Sequence, residues 1–182
     1  MIDLNDLPAV TSPLPWHAHE WGNLNDQLKD GQLPHALLLN GGEHSGKSQL
    51  ALSLSRLLLC AHAEGGLNCG QCHACELSAG GSHGDFRWVQ PEEKSRVIKI
   101  DQIREVVRFS NMTAGFGLRK VIVLAPADSM NVNAFNALLK PLEEPASGTY
   151  IILVCHRMDS DPSTILSLCL ILKLPLPHMA HC

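Results

Sequence analysis

Long apolar stretches are missing from this 182-residue chain. No run approaches the roughly 20 residues that a bilayer-crossing helix needs, so no membrane partner is expected. A secretory leader is missing too. Met1-Ile2-Asp3-Leu4-Asn5-Asp6 carries acid where such a leader needs basic charge and then an apolar stretch. Positive charge is scarce, with 14 Lys and Arg against 18 Asp and Glu and a formal net charge of −4. That balance excludes a broad basic face for nucleic acid. No internal repeat and no low-complexity tract is evident. The even cysteine count of a disulfide framework is also lacking. There are seven cysteines, and four of them fall between positions 60 and 75. Such clustering points to metal in a reducing compartment. With 45% hydrophobic and 18% charged residues, the chain fits one globular domain with a fragment of a second. The expectation is a soluble, cytoplasmic protein.

Short apolar runs alternate with helical periods. Trp16, Trp21, Leu24 and Leu28 line one face of a helix over about 16–30, which Gly31 stops. His35-Ala36-Leu37-Leu38-Leu39-Asn40 reads as a buried parallel strand. Residues 49–60 read as a helix, 61–84 as a loop, and 86–91 as a second strand. A helix is expected from Asp101 as its N-cap, burying Ile103, Val106 and Val107. Val121–Ala125 is a strand, 131–143 a helix and Tyr150–Val154 a further strand. Strands alternating with helices argue for an α/β fold with a parallel sheet.

Gly41-Gly42-Glu43-His44-Ser45-Gly46-Lys47-Ser48 fits the pattern G-x-x-x-x-G-K-[ST]. Gly41 and Gly46 let the backbone curl, so that several N–H groups face one phosphate. The next helix presents its positive end to the same anion. Lys47 reaches the β- and γ-phosphates, and Ser48 holds Mg²⁺. Hydrolysis also needs an acid at the tip of a neighbouring strand. The candidate strand ends Leu124-Ala125-Pro126-Ala127-Asp128, with no carboxylate at its tip; Asp128 reads as the cap of the next helix.

Cys60, Cys69, Cys72 and Cys75 are spaced C-x8-C-x2-C-x2-C. Four thiolates close a tetrahedral Zn²⁺ site, and closed sulfur-only sites are structural. His62, His73 and His83 are alternative ligands, and free thiols in a loop are the plain alternative.

Three features stand together: the phosphate loop, the cysteine insertion after its helix, and Asn136-Ala137-Leu138-Leu139-Lys140-Pro141-Leu142-Glu143-Glu144-Pro145. With the leader Leu33-Pro34-His35-Ala36, the combination resembles the bacterial clamp-loader subunits of DNA polymerase III, which are AAA+ proteins. Ala125-Pro126 stands where motor subunits carry an Asp-Glu pair, so the closer likeness is to the delta-prime subunits. The resemblance implies a P-loop AAA+ sheet flanked by helices over residues 1–165, with an inserted zinc module at 60–84. Residues 166–182 would begin a truncated lid. It implies binding of ATP or ADP with Mg²⁺ without hydrolysis, and no catalytic residue in this chain. The implied partners are the tau/gamma motor and delta subunits, with the sliding clamp and primed DNA reached through the complex. An active tau/gamma-type motor and a non-functional truncated remnant are the alternative readings.

Three departures from that family pattern stand out. The Ser-Arg-Cys motif that places an arginine finger reads Ser167-Leu168-Cys169. Leucine cannot stabilise charge on a γ-phosphate, where such arginines are worth roughly 10³–10⁵ in rate. Pro141 interrupts a helix, at a cost of about 3 kcal/mol or more. The tail from Leu174 has no helical period. Arg119 and Lys120, after Gly115-Phe116-Gly117, read as a basic loop tip, and Cys155 as a small core residue.

Overall fold

The structure is a computed structural model describing residues 3–115, 119–157 and 161–176. Phe116 and Gly117 of the expected turn, and the tail from Pro177, lie outside the described residues.

Five strands form one sheet: β1 (Ala36–Asn40), β2 (Phe86–Val89), β3 (Lys120–Leu124), β4 (Thr149–Cys155) and β5 (Leu170–Lys173). Their order is β2-β3-β4-β1-β5, and every neighbouring pair runs parallel. Alternation along the strands splits the core in two. Leu38, Ile122, Leu124, Ile151 and Leu153 face one side of the sheet. There they meet α4 (Ile100–Ser110), α5 (Val132–Glu143) and α6 (Ser163–Leu168). Leu37, Leu39, Val121, Val123, Ile152 and Val154 face the other side, against α1 (Ala18–Lys29) and α2 (Lys47–Leu59). A strand buried on both faces has to be apolar at every position, which is why these runs read as continuous rather than alternating. No helix among the described residues is long and apolar enough to cross a membrane.

Four local readings change. The segment read as a loop over 61–84 contains α3 (His73–Ala79), a helix of 7 residues. Leu170–Lys173 pairs with β1, so these residues lie in the sheet rather than in a lid, and the expected division after 165 falls within α6. Asp101 is not the N-cap of α4. Lys99 holds that place, and its N–H donates to Gln102 Oε1 at 2.8 Å. Asp128 does not cap α5 either. It sits in a short 3-10 turn, and Asn131 caps α5 by accepting from the Ala134 N–H at 2.9 Å. Pro141 is buried near the end of α5, and the helix continues past it to Glu143. Placed there, the missing N–H interrupts the last turn only.

Candidate phosphate loop and metal centre

The phosphate loop leaves the carboxyl end of β1, where parallel sheets present ligands. The Gly41 N–H donates to the Cys155 carbonyl on β4 at 3.2 Å, which ties the start of the loop to the sheet. Gly46 closes the loop at φ +85°, in the left-handed region, as the N-cap of α2. A Cβ there would stand 2.3 Å from Leu14 Cδ1 and 3.3 Å from His17 Cε1. Backbone angle and space therefore both demand glycine. The first N–H groups of α2 have no partner within the helix and are free to meet an anion.

Lys47 is 3% exposed, and its Nζ donates to the Gly42 carbonyl at 2.8 Å. Burial depresses its pKa, opposed by the charges of Asp128, Glu43 and Cys155. A cation held this way is short of solvation and favours an incoming anion. Ser48 lines a cleft of about 460 Å³ with Glu43, His44, Trp88, Pro126 and His156. His44 is exposed and adopts φ +63°. Gly41, Gly46, Lys47 and Ser48 thus lie together on one turn and the start of one helix.

At the tip of β3, Ala125 is 8% exposed and packs into the core with Leu39 and Val154. The acid nearest in sequence, Asp128, acts on Lys47 by its charge and leaves one buried carboxylate oxygen, Oδ1, without a hydrogen bond. Sequence reasoning missed this, because a helix cap was the simpler use for Asp128. Cys155 is fully buried, and its thiol donates to Asp161 Oδ2 at 3.0 Å. Burial, then Asp161, pushes that thiol far above its usual range. It is a core residue, not a nucleophile.

The four cysteines of the insertion converge. Their sulfurs all lie within 4.8 Å of one another, with Cys60–Cys72 at 3.8 Å and Cys69–Cys75 at 3.9 Å. Four sulfurs held about 2.3 Å from a single ion in a tetrahedron stand about 3.8 Å apart. The donor set therefore fits a metal ion. Backbone N–H groups point at the sulfurs: Cys69 N and His62 N at Cys60, Gly70 N at Cys75, and Cys72 N at Cys69, at 3.2–3.4 Å. Burial pushes Cys60 up to about 12. At Cys72 burial acts the same way, but the N–H groups of Ala61 and Cys75 together with the Cys75 and Cys69 thiols bring it down to about 6. His62, His73 and His83 are not among the converging residues.

A family model described as DNA polymerase III, delta subunit, matches residues 16–178. The chain belongs to this family. It is 42% identical over 166 residues to the DNA polymerase III subunit delta' of Pseudomonas aeruginosa, covering 91% of this chain and 50% of that one. Among solved structures it resembles a DNA polymerase III gamma subunit-related protein from Thermotoga maritima, with a TM-score of 0.62 and 23% identity. That match covers 85% of this chain and 47% of the other. A RuvB variant from the same organism superposes with a TM-score of 0.52 at 14% identity, over 86% of this chain and 43% of that one. The fold is the AAA+ parallel sheet with an inserted four-cysteine module. The chain spans about half the length of the curated relatives it matches.

Leu168 and Lys120, both singled out in the sequence, have a structural place. Leu168 ends α6 and packs against the core between sheet and helices. The side chain there is half-buried against that cluster. Lys120, read from sequence as part of a basic loop tip, is 2% exposed at the start of β3. Its ammonium donates to the carbonyls of Phe109 and Met112 at the end of α4. Arg119 donates to the Leu58 carbonyl at 3.3 Å. Both cations serve helix ends.

Proposed function

We propose that this chain is the nucleotide-binding part of a clamp-loader delta-prime subunit of DNA polymerase III. The observation that carries the reading is the family match over residues 16–178. In this reading Gly41, Gly46, Lys47 and Ser48 hold ATP or ADP with Mg²⁺. Gly41 and Gly46 shape the backbone, Lys47 supplies charge and Ser48 meets the Mg²⁺. Ala125-Pro126 at the tip of β3 supports binding without turnover, because no acid stands there to orient Mg²⁺. Cys60, Cys69, Cys72 and Cys75 hold structural zinc, supported by their sulfur spacing. The nucleotide-binding domain extends through β5, and the residues after it lead toward the lid of longer relatives. The partners are the tau/gamma motor and delta subunits. The sliding clamp and primed DNA are reached through the complex, in the cytoplasm. Polymerisation belongs to the holoenzyme and not to this chain.

Co-assembly tests the reading. The zinc-loaded chain is mixed with purified motor and delta subunits, and complex mass is read by size-exclusion light scattering. A stoichiometric complex is expected. Elution of the chain as a free folded monomer would overturn the assembly role. In the same preparation, ATP turnover abolished by Lys47→Ala would identify a motor subunit instead.

A further inference from the structure

One segment near the N-terminus touches both sites. Residues 4–11 lie on the cysteine module. The Leu7 N–H donates to the Ala79 carbonyl at 3.0 Å, and the Thr11 N–H donates to Asn68 Oδ1 at 3.0 Å. Asn68 lies one residue before Cys69. Its amide donates both to the Ala9 carbonyl at 3.0 Å and to Cys75 Sγ at 3.2 Å. A Cβ on Gly70 would stand 2.8 Å from Val10 Cγ2 and 3.2 Å from the Ala9 oxygen, so the metal loop and the segment are in close contact. Residues 12–17 then run over the phosphate loop. Gln49 Nε2 donates to the Ser12 carbonyl at 2.9 Å, Trp16 Nε1 donates to the Ser45 carbonyl at 2.9 Å, and Leu14 covers Gly46.

Arg56 anchors this segment from below. It sits on α2, is 1% exposed, and makes five hydrogen bonds. Nη1 donates to the Pro8 carbonyl and to Thr11 Oγ1, and Nη2 to the carbonyls of Ala9 and Cys75. Nε donates to Ser78 Oγ on α3. Among the described residues no carboxylate pairs with it. The charges that act on it are those of Cys75, Cys60 and Cys72. A buried cation needs a balancing charge. A divalent ion on four thiolates would be a centre of net negative charge, and Arg56 stands beside the thiols through its bond to the Cys75 carbonyl.

We propose that residues 4–17 form a strap that couples the metal centre to the phosphate loop, with Arg56 as its anchor. Metal occupancy fixes the 61–72 loop and hence Asn68. Asn68 and Arg56 fix residues 8–11, and residues 12–17 hold Ser45 and Gly46 in the loop conformation that receives an anion. The inference rests on the reading that the four thiols hold zinc.

Amide hydrogen exchange on the intact chain tests the strap, with zinc content measured in parallel. With one zinc bound per chain, removing it by chelation is expected to speed exchange about tenfold in residues 7–17 and 44–50, while β3 and β4 keep their protection. Asn68→Ala retains every cysteine and Arg56, and is expected to release the strap with zinc still bound. Trp16→Phe with Gln49→Ala is expected to free residues 44–50 from metal control while residues 7–11 still respond. A chain that binds no zinc sinks both the metal reading and the coupling. Zinc binding with strap exchange changed by less than about twofold on removal leaves the metal reading intact and overturns the coupling. Acceleration of β3 and β4 together with the strap overturns it as well, because the metal would then act on the whole fold.

Discussion

Gly46 is the position at which the phosphate loop tolerates least. Substituting alanine acts through two separable costs. The first is the backbone. At φ +85° an L-residue enters the left-handed region, worth roughly 1–2 kcal/mol. The second is space. The new methyl would start 2.3 Å from Leu14 Cδ1, well inside contact distance. Overpacking of this kind costs typically about 1–3 kcal/mol. Leu14 is half-buried on the strap, so its end can give, which places the second cost low in that range. The sum is about 2–4 kcal/mol, a large share of the roughly 5–15 kcal/mol that stabilises a domain. Urea unfolding followed by tryptophan fluorescence reads this, with the denaturant slope held constant between variants.

The two costs separate in a double mutant. Leu14→Ala removes the clash and leaves the backbone angle. Measured against Leu14→Ala alone, adding Gly46→Ala should cost only about 1–2 kcal/mol, the conformational part. If Gly46→Ala costs the same with and without Leu14, the packing account is wrong. If it costs less than about 1 kcal/mol in both, the loop does not require the left-handed angle.

Two further outcomes follow from single side chains. Asn131→Ala should cost about 1 kcal/mol in unfolding experiments, and Asp128→Ala should leave α5 capped, because Asn131 accepts the Ala134 N–H; the reverse order would restore Asp128 as the cap. Acid should destabilise the chain through His17 and His83. Burial lowers the pKa of both below 6.5, so on descending through 6.5 the unfolded chain takes up protons first and stability falls with pH. His83 Nδ1 accepts the Asp85 N–H at 3.0 Å, a bond that protonation removes. Urea midpoints compared at neutral and mildly acidic pH should fall less in His83→Gln than in the parent, and an equal fall in both would remove His83 from the account.

The strands that carry the site were legible because burial on both faces leaves only apolar residues, and a run such as Ala36–Leu39 has no other use. The turn between β1 and α2 was legible because glycines at fixed spacing between an apolar run and a helical period serve a tight loop, and Gly46 takes the left-handed angle there. The cysteines were legible by number and spacing, and the structure brings the same four together. β5 was missed although Leu170-Ile171-Leu172 is as apolar as β3, because the resemblance assigned residues 166–182 to the start of a lid. α3 was missed because its 7 residues sit among glycine and histidine, and its start is set by the Cys72 backbone rather than by a polar cap. Arg56 carries a signal in its neighbours. Every residue from Leu50 to Leu59 is buried, and a charge within so apolar a stretch implies a partner.

The loop and the missing acid also bear on each other. Each contact that shapes the loop is independent of hydrolysis: Gly41 to the Cys155 carbonyl, Lys47 to the Gly42 carbonyl, Trp16 to the Ser45 carbonyl, Leu14 on Gly46. Those contacts tie the end of β1 to β4, to α2 and to the strap. Altering the glycines would therefore disturb the packing on that edge of the domain even if no nucleotide were ever bound. The tip of β3 carries no such burden. Ala125 fills a core position that a small apolar side chain satisfies, and a carboxylate there would have to be buried beside Leu39 and Val154. An acid used only for turnover can be lost without cost to the fold, whereas the loop cannot. An intact phosphate loop is for that reason weak evidence of an ATPase, and the residue at the tip of β3 is the one to read.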